Sequence, residues 1–302
     1  MTKSLLRAAA LAAVLLPLAA CDEQRAFGDA DSIIVGARTP LWEEIRDTVE
    51  AVLEPRITTV RRERTFTLTH QDPTGEPWGR LRLFRQELIV GSEEDPWVAE
   101  ALAEREGSEP LSPPQILQVH DVWARQQLVT ILLLTPGGGA DEVISLLEPL
   151  HELMDRQYRE YAVNRMFVSG RNSALADSLD RALSFSLVLP EVYRTVTRDS
   201  VHIFRNDNPD PSELIRQLTV TWRSPIPGEI PPVDSLLAWR RRISETHYSY
   251  PQVNDTSILQ VRDTTFRGRP GREVQAVWSN PPEDEFPAGG PFILRAILCE
   301  PD

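Results

Sequence analysis

Lysine is almost missing from this chain. Lys3 is the only one in 302 residues, and arginine supplies the rest of the positive charge. No chemistry that needs a lysine beyond residue 3 is available. A Ser-x-x-Lys nucleophile cannot be written downstream of it, and a phosphate-binding P-loop has no lysine to complete it. Cysteine is nearly as scarce, with Cys21 and Cys299 alone. The five histidines, His70, His120, His151, His202 and His247, are scattered, and none stands at metal-ligand spacing from another His or a Cys. No zinc site is signalled, and neither a metal nor a cofactor is expected. The closest text to a Gly-x-Ser-x-Gly nucleophile turn is Val168-Ser169-Gly170-Arg171, which lacks the first glycine. No catalytic residue is assigned. Long apolar runs are also missing. A membrane-crossing helix needs about 20 apolar residues, and the stretch from Ala8 to Ala20 is too short.

That stretch has another reading. Lys3 and Arg7 precede it, and Leu18-Ala19-Ala20-Cys21 closes it. A charged start, an apolar middle and small residues at the end make a secretory signal peptide, cut between Ala20 and Cys21. Leu-Ala-Ala-Cys resembles the bacterial lipobox. The resemblance implies a thioether-linked diacylglycerol on Cys21 and a third acyl chain, such as palmitate, on the new amino terminus. Stable anchoring takes two or more chains. With Cys21 acylated, Cys299 has no partner for a disulfide and reads as a buried thiol on the closing strand. The expected location is the cell envelope, lipid-anchored and facing the periplasm, with inner and outer membrane both open.

Removing residues 1–20 from 302 leaves 282, with 30 arginines against 45 acidic residues and a formal charge of −15. A balance this acidic argues against nucleic acid as a partner. It would also be repelled by anionic head groups, so the membrane is reached through the acyl anchor. A hydrophobic fraction of 41% and a charged fraction of 25% are those of a folded domain.

The expected fold class is α+β: mixed sheets with packed helices in two halves. Residues 21–31 read as an acylated cysteine and a flexible tether, reaching about 33 Å when extended. Residues 32–184 form an N-terminal α/β half. Ser32–Gly36 is a buried strand, and a helix starts at Pro40 with Trp42, Ile45, Val49 and Val52 on one face. Strands follow at Thr65–Thr69, Arg80–Val90 and Val122–Leu134. Asp95-Pro96 opens a short helix, and a long helix after Gly139 carries Val143, Leu147, Leu150 and Met154, with Pro149 marking a kink. Residues 185–302 form the second half, with strands at Phe185–Leu189, Val201–Phe204, Leu218–Trp222, Ile258–Phe266, Arg272–Trp278 and Phe292–Cys299. A helix spans Asp234–Ile243 between them.

Gly137-Gly138-Gly139 reads as a strand-to-helix turn with Asp141 as its cap, not as a phosphate cradle, since that carboxylate would repel an anion. The acidic turns at Asn206–Asp210 and Glu283–Glu285 lack the ligand spacing calcium needs. Two segments carry Trp and Arg together, the residues most enriched in binding hot spots. One is His120–Gln127, with Trp123 and Arg125. The other runs from Gly271 through Arg272 and Trp278 to Gly289-Gly290-Pro291. Strand alternation sets Arg272, Val274, Ala276 and Trp278 on one face. The helix with Trp239 and Arg240 is the nearest cover, so Trp239 or Arg240 is expected across a groove from Arg272 and Trp278, and this groove is the expected binding site. A plain apolar seam, with Arg272 paired to a carboxylate, is the competing expectation. Gly289-Gly290 allows positive φ.

The lipobox, SIIVGARTPLWEEI, DVWARQQ, SLLAWRRRI, GREVQAVWSN and AGGPFILR occur in one order. Together they resemble a family of bacterial envelope lipoproteins known only as domain of unknown function number 4837. The likeness covers nearly the whole chain after the signal peptide. Ala276-Val277-Trp278 and Ala288–Phe292 depart from the family pattern. The resemblance implies no activity, cofactor or catalytic residue. The expected function is therefore a membrane-anchored periplasmic lipoprotein that binds an envelope protein or a ligand, or serves envelope assembly, without catalysis. The alternative is an envelope hydrolase acting on glycan or peptide through paired carboxylates facing each other across a cleft.

Overall fold

The computed structural model describes residues 24–58, 62–207, 216–224, 228–281, 283 and 288–299. Ala20, Cys21 and the proposed signal peptide lie outside the described residues, as does most of both acidic turns. Helices and several mixed sheets make the fold α+β.

The chain forms two compact units. The first comprises the chain up to Pro55 together with Arg64–Tyr158, and the second comprises Arg56–Glu63 and the chain from Arg159. The boundary thus falls inside a helix and not near residue 184. The helix over residues 173–183 turns Leu175, Leu179 and Leu183 onto Leu189 and Phe204, which puts it with the second unit.

In the first unit the strands are β1 (Ser32–Gly36), β4 (Thr67–Gln71), β5 (Gln86–Gly91), β6 (Gln115–His120) and β7 (Leu128–Leu133). They form one sheet in the order β4-β1-β5-β7-β6, parallel except for β6 against β7. Both faces are covered, which is why these strands read as continuous apolar runs. On one face, α1 (Thr39–Leu53) and α4 (Ala140–Met166) pack with Ile33, Val35, Leu88, Val90 and Leu132. The spacing of Trp42, Ile45 and Val49 predicted that helix, and all three are buried. Burial of each such side chain contributes on the order of 1.5–3 kcal/mol. On the other face, α2 (Trp78–Leu81) and α3 (Pro96–Ala103) pack with Ile34, Ile89, Val129 and Ile131. Pro149 sits inside α4.

Several expectations are corrected. The span Arg80–Val90 is not one strand: Trp78–Leu81 is helical, and only Gln86–Gly91 is extended. The strand expected at 122–134 covers Leu128–Leu133 alone, because residues 121–127 form a loop. Residues 24–31 are no free tether. The Ala26 N–H donates to Arg125 O at 2.9 Å, Ala26 is buried, and the Phe27 ring lies 4.5 Å from that of Phe84.

The second unit holds two three-stranded antiparallel sheets. One joins β8 (Arg194–Arg198), β9 (Val201–Asn206) and β10 (Arg216–Thr221), against α5 (Ser173–Leu183). The other joins β11 (Val253–Phe266), β12 (Arg269–Ser279) and β13 (Gly289–Ile297), against α6 (Val233–His247). Short strands β2 (Arg56–Thr58) and β3 (Arg62–Arg64) pair separately. Residues 185–189 form no strand; Phe185 and Leu187 serve as packing for Phe204. Cys299 lies beyond β13 and is exposed, not buried.

Candidate functional site

In the parallel sheet of the first unit, β1 leads through α1 to β4 on one side, and the chain then crosses to β5 on the other. The connections after β1 and β5 therefore leave in opposite directions. Between them, outside the carboxyl ends of the strands, such a sheet opens a crevice. One is present, with a volume of about 280 Å³. Leu41, Val90 and Leu134 line it with apolar surface, and Arg38, Ser92, Asp95 and Thr135 supply polar groups.

Each polar group arrives from a strand-to-helix turn. Arg38 stands between β1 and α1, Asp95 just before α3, and Thr135 just after β7. Arg38 Nε donates to Asp95 Oδ1 at 3.3 Å, and its guanidinium carbon lies 5.1 Å from the centre of the Trp97 ring. Trp97 is itself fixed, donating through Nε1 to Val90 O at 3.3 Å. Asp95 Oδ2 accepts from the Ser92 N–H at 2.9 Å. Gly91 is required here by close approach, since a Cβ on it would come within 2.6 Å of the Asp95 carboxylate.

Three helices begin at this end of the sheet, and their free N–H groups would ordinarily attract an anion. Here carboxylates of the chain take the first N–H of α1 and loop N–H groups ahead of α3 and α4. Asp72 Oδ2 accepts from the Thr39 N–H at 2.9 Å, and its Oδ1 accepts from Thr74 N–H at 2.9 Å. Burial works against that charge. The Thr39 N–H, both Thr74 groups and the Thr39 hydroxyl outweigh it and hold the Asp72 carboxyl well below the usual carboxylate range. Glu142, not Asp141, fills the turn before α4, accepting from the Thr135 N–H at 2.9 Å and from its hydroxyl. The glycine turn is thus no phosphate cradle, as its sequence indicated, but the carboxylate responsible is one residue later.

Trp123 and Arg125 lie at the opposite end of the sheet. They precede β7, whereas the crevice follows it. The loop is built for itself: Asp121 Oδ1 accepts from Gln126 and Gln127 N–H, and Gln127 Nε2 donates to Arg82 O and Phe84 O at 2.6 and 2.7 Å. The Trp123 indole donates to Glu100 at 2.9 Å and meets Trp78 edge-on. Arg125 is exposed, and its backbone bridges to residue 25.

In the second unit, Trp239, Arg240, Arg272, Trp278, Gly289 and Gly290 do come from neighbouring elements. By alternation Trp278 shares the face of Val274 and Ala276, and Trp239 packs in the cluster with Val274, Phe292 and Leu294. The face is closed by α6, however. The Arg240 guanidinium lies 3.8 Å from the Phe292 ring centre and donates to Gln252 at 2.6 Å and to Asn254. Burial pulls its pKa down. Arg272 donates to Asp263 at 3.0 Å, so the paired-seam expectation describes it. Gly289 and Gly290 lie in strand β13 without positive φ, and Gly290 makes room for Trp278: a Cβ there would stand 3.1 Å from the indole nitrogen.

Among the described residues no group of three or more His, Cys, Asp and Glu could hold a metal, and no helix is long and apolar enough to cross a membrane. One carboxyl is strongly perturbed. Glu87 on β5 is 1% exposed, and neither oxygen makes a hydrogen bond. Burial pushes its carboxyl up to about 10. It points to the apolar face between Ile34 and Val129, not to a cleft. No family model, curated protein or solved structure matches this chain.

Proposed function

We propose that this chain is a lipid-anchored protein of the bacterial envelope that binds a small ligand in the crevice at the carboxyl ends of β1, β5 and β7. The observation that carries the reading is the position of that crevice at the topological switch point, with an arginine stacked on a tryptophan at its edge. The anchor rests on the sequence around Cys21 and on the likeness to the envelope lipoprotein family. A binding role is favoured over hydrolysis by the placement of the carboxyls. The carboxyl with the raised pKa, Glu87, is enclosed in the sheet, while Asp95, Asp72 and Glu142 are engaged in holding turns.

Thermal unfolding with fractionated envelope extracts tests this. A ligand present at 100 times its Kd stabilises the folded state by about 2.7 kcal/mol. A fraction is expected to raise the melting temperature of the parent chain and to leave Leu41→Asp, which places a charge on the crevice wall, unshifted. Equal shifts in both proteins, or none in the parent, would count against the reading.

A further inference from the structure

Resting on that crevice reading, we propose that the ligand is a monoanionic carboxylate with an apolar body, received by the outer edge of Arg38. Among the described residues Arg38 is the only cationic side chain lining the crevice. Its Nε is engaged by Asp95 and its plane lies over Trp97. Among the described residues its two terminal nitrogens make no hydrogen bond. A guanidinium held by one edge and one face, with the other edge free, is already organised for a two-pronged bond to a carboxylate. Little side-chain freedom remains to be lost when that bond forms.

The surroundings select among anions. A phosphate dianion gains from free helix N–H groups and added positive charge. At this site the first N–H of α1, at Thr39, already serves Asp72, and the loop N–H groups of Ser92 and Thr135 serve Asp95 and Glu142. Arg38 and Asp95 together bring no net charge. A single negative charge is met by the free edge of Arg38, and among the described residues no second cation lines the crevice to meet another. Leu41, Val90, Leu134 and Pro40 then give the rest of the ligand an apolar wall. An ammonium group has Asp95 alone to turn to, and that carboxylate is committed to Arg38 and Ser92.

Backbone amide NMR of the full chain after signal removal, titrated with four probes, tests the assignment. The probes are N-acetyl-leucine, its amide, isoamylamine and inorganic phosphate. N-acetyl-leucine is expected to shift the amides of Arg38, Gly91, Ser92 and Thr135, with the other three probes at least tenfold weaker. Arg38→Gln should weaken the carboxylate tenfold or more, and Arg38→Lys, which keeps the charge but not the fork, by nearly as much. Arg38 is largely exposed, so both variants should fold. If the amide, the amine or phosphate shifts the same residues as strongly as the carboxylate, the ligand class is overturned and the crevice reading stands. If hexanoate and phenylacetate also join the panel and no probe shifts these amides, both are overturned.

Discussion

Glu273 and Arg295 stand directly opposite each other on β12 and β13, and Arg295 Nε donates to Glu273 Oε2 at 2.6 Å. From the other side of the ladder Arg262 reaches the second oxygen at 2.6 Å. The Gln275 amide, then Arg295 and Arg262, hold the carboxyl at about 2 against an ordinary value of 4.5. A carboxyl depressed by folding contributes stability that is complete above the ordinary value and disappears as pH falls through the folded one. The second unit should therefore lose stability between about pH 4.5 and 2. Glu273→Gln should flatten that decline in urea titrations followed by circular dichroism. An unchanged slope would contradict the ladder's role.

Glu87 acts with the opposite sign. Its folded-state carboxyl is raised to about 10, so it is protonated in the fold at neutral pH. Folding is favoured by this group most below its ordinary value, and the cost of keeping it neutral grows as pH rises towards 10. At pH 7 that cost is on the order of 3 kcal/mol. Glu87→Gln, which needs no proton, should raise the melting temperature at pH 7 and gain less at pH 4. Differential scanning calorimetry at the two pH values reads the difference.

Much of the first unit was legible because burial on one or two faces leaves a period in the sequence. Trp42, Ile45 and Val49 announce α1, and the apolar runs at 33–35, 88–90 and 131–134 announce strands covered on both sides. Boundaries were less legible. Leu81 and Leu83 alternate with Arg80 and Arg82 as a strand would, yet they belong to a helical turn and its exit. The crevice was not legible at all. Arg38, Ser92, Asp95 and Thr135 each look like ordinary turn residues, and only the strand order brings them together. A signal was present in the apolar strands ending in glycine before a helix, at Gly36 and Gly91. Trp123, Trp239 and Arg240, singled out instead, are used in packing, because a large amphipathic side chain signals burial as readily as binding.

Trp278 occupies the space that a side chain at residue 290 would need. Gly290→Val should cost about 1–3 kcal/mol, the range for overpacking. In a Trp278→Ala background the same change should cost clearly less, since the two positions share one volume. Additive losses in a double-mutant cycle would show that the indole is not the obstacle.

The anchor is tested at Cys21. Cys21→Ser should abolish processing and release the protein from membranes, with loss of label from a tagged fatty acid fed to the cells. Continued labelling of the serine variant would remove the anchor from the account.

Hydrogen–deuterium exchange with an envelope small-molecule extract tests the central claim most directly, because it compares every candidate surface at once. The account predicts slower exchange in peptides covering residues 36–42, 90–97 and 134–143 and none elsewhere. Protection confined to residues 121–127, or to 239–241 with 272–278, would contradict it and return the binding site to the tryptophan-bearing segments.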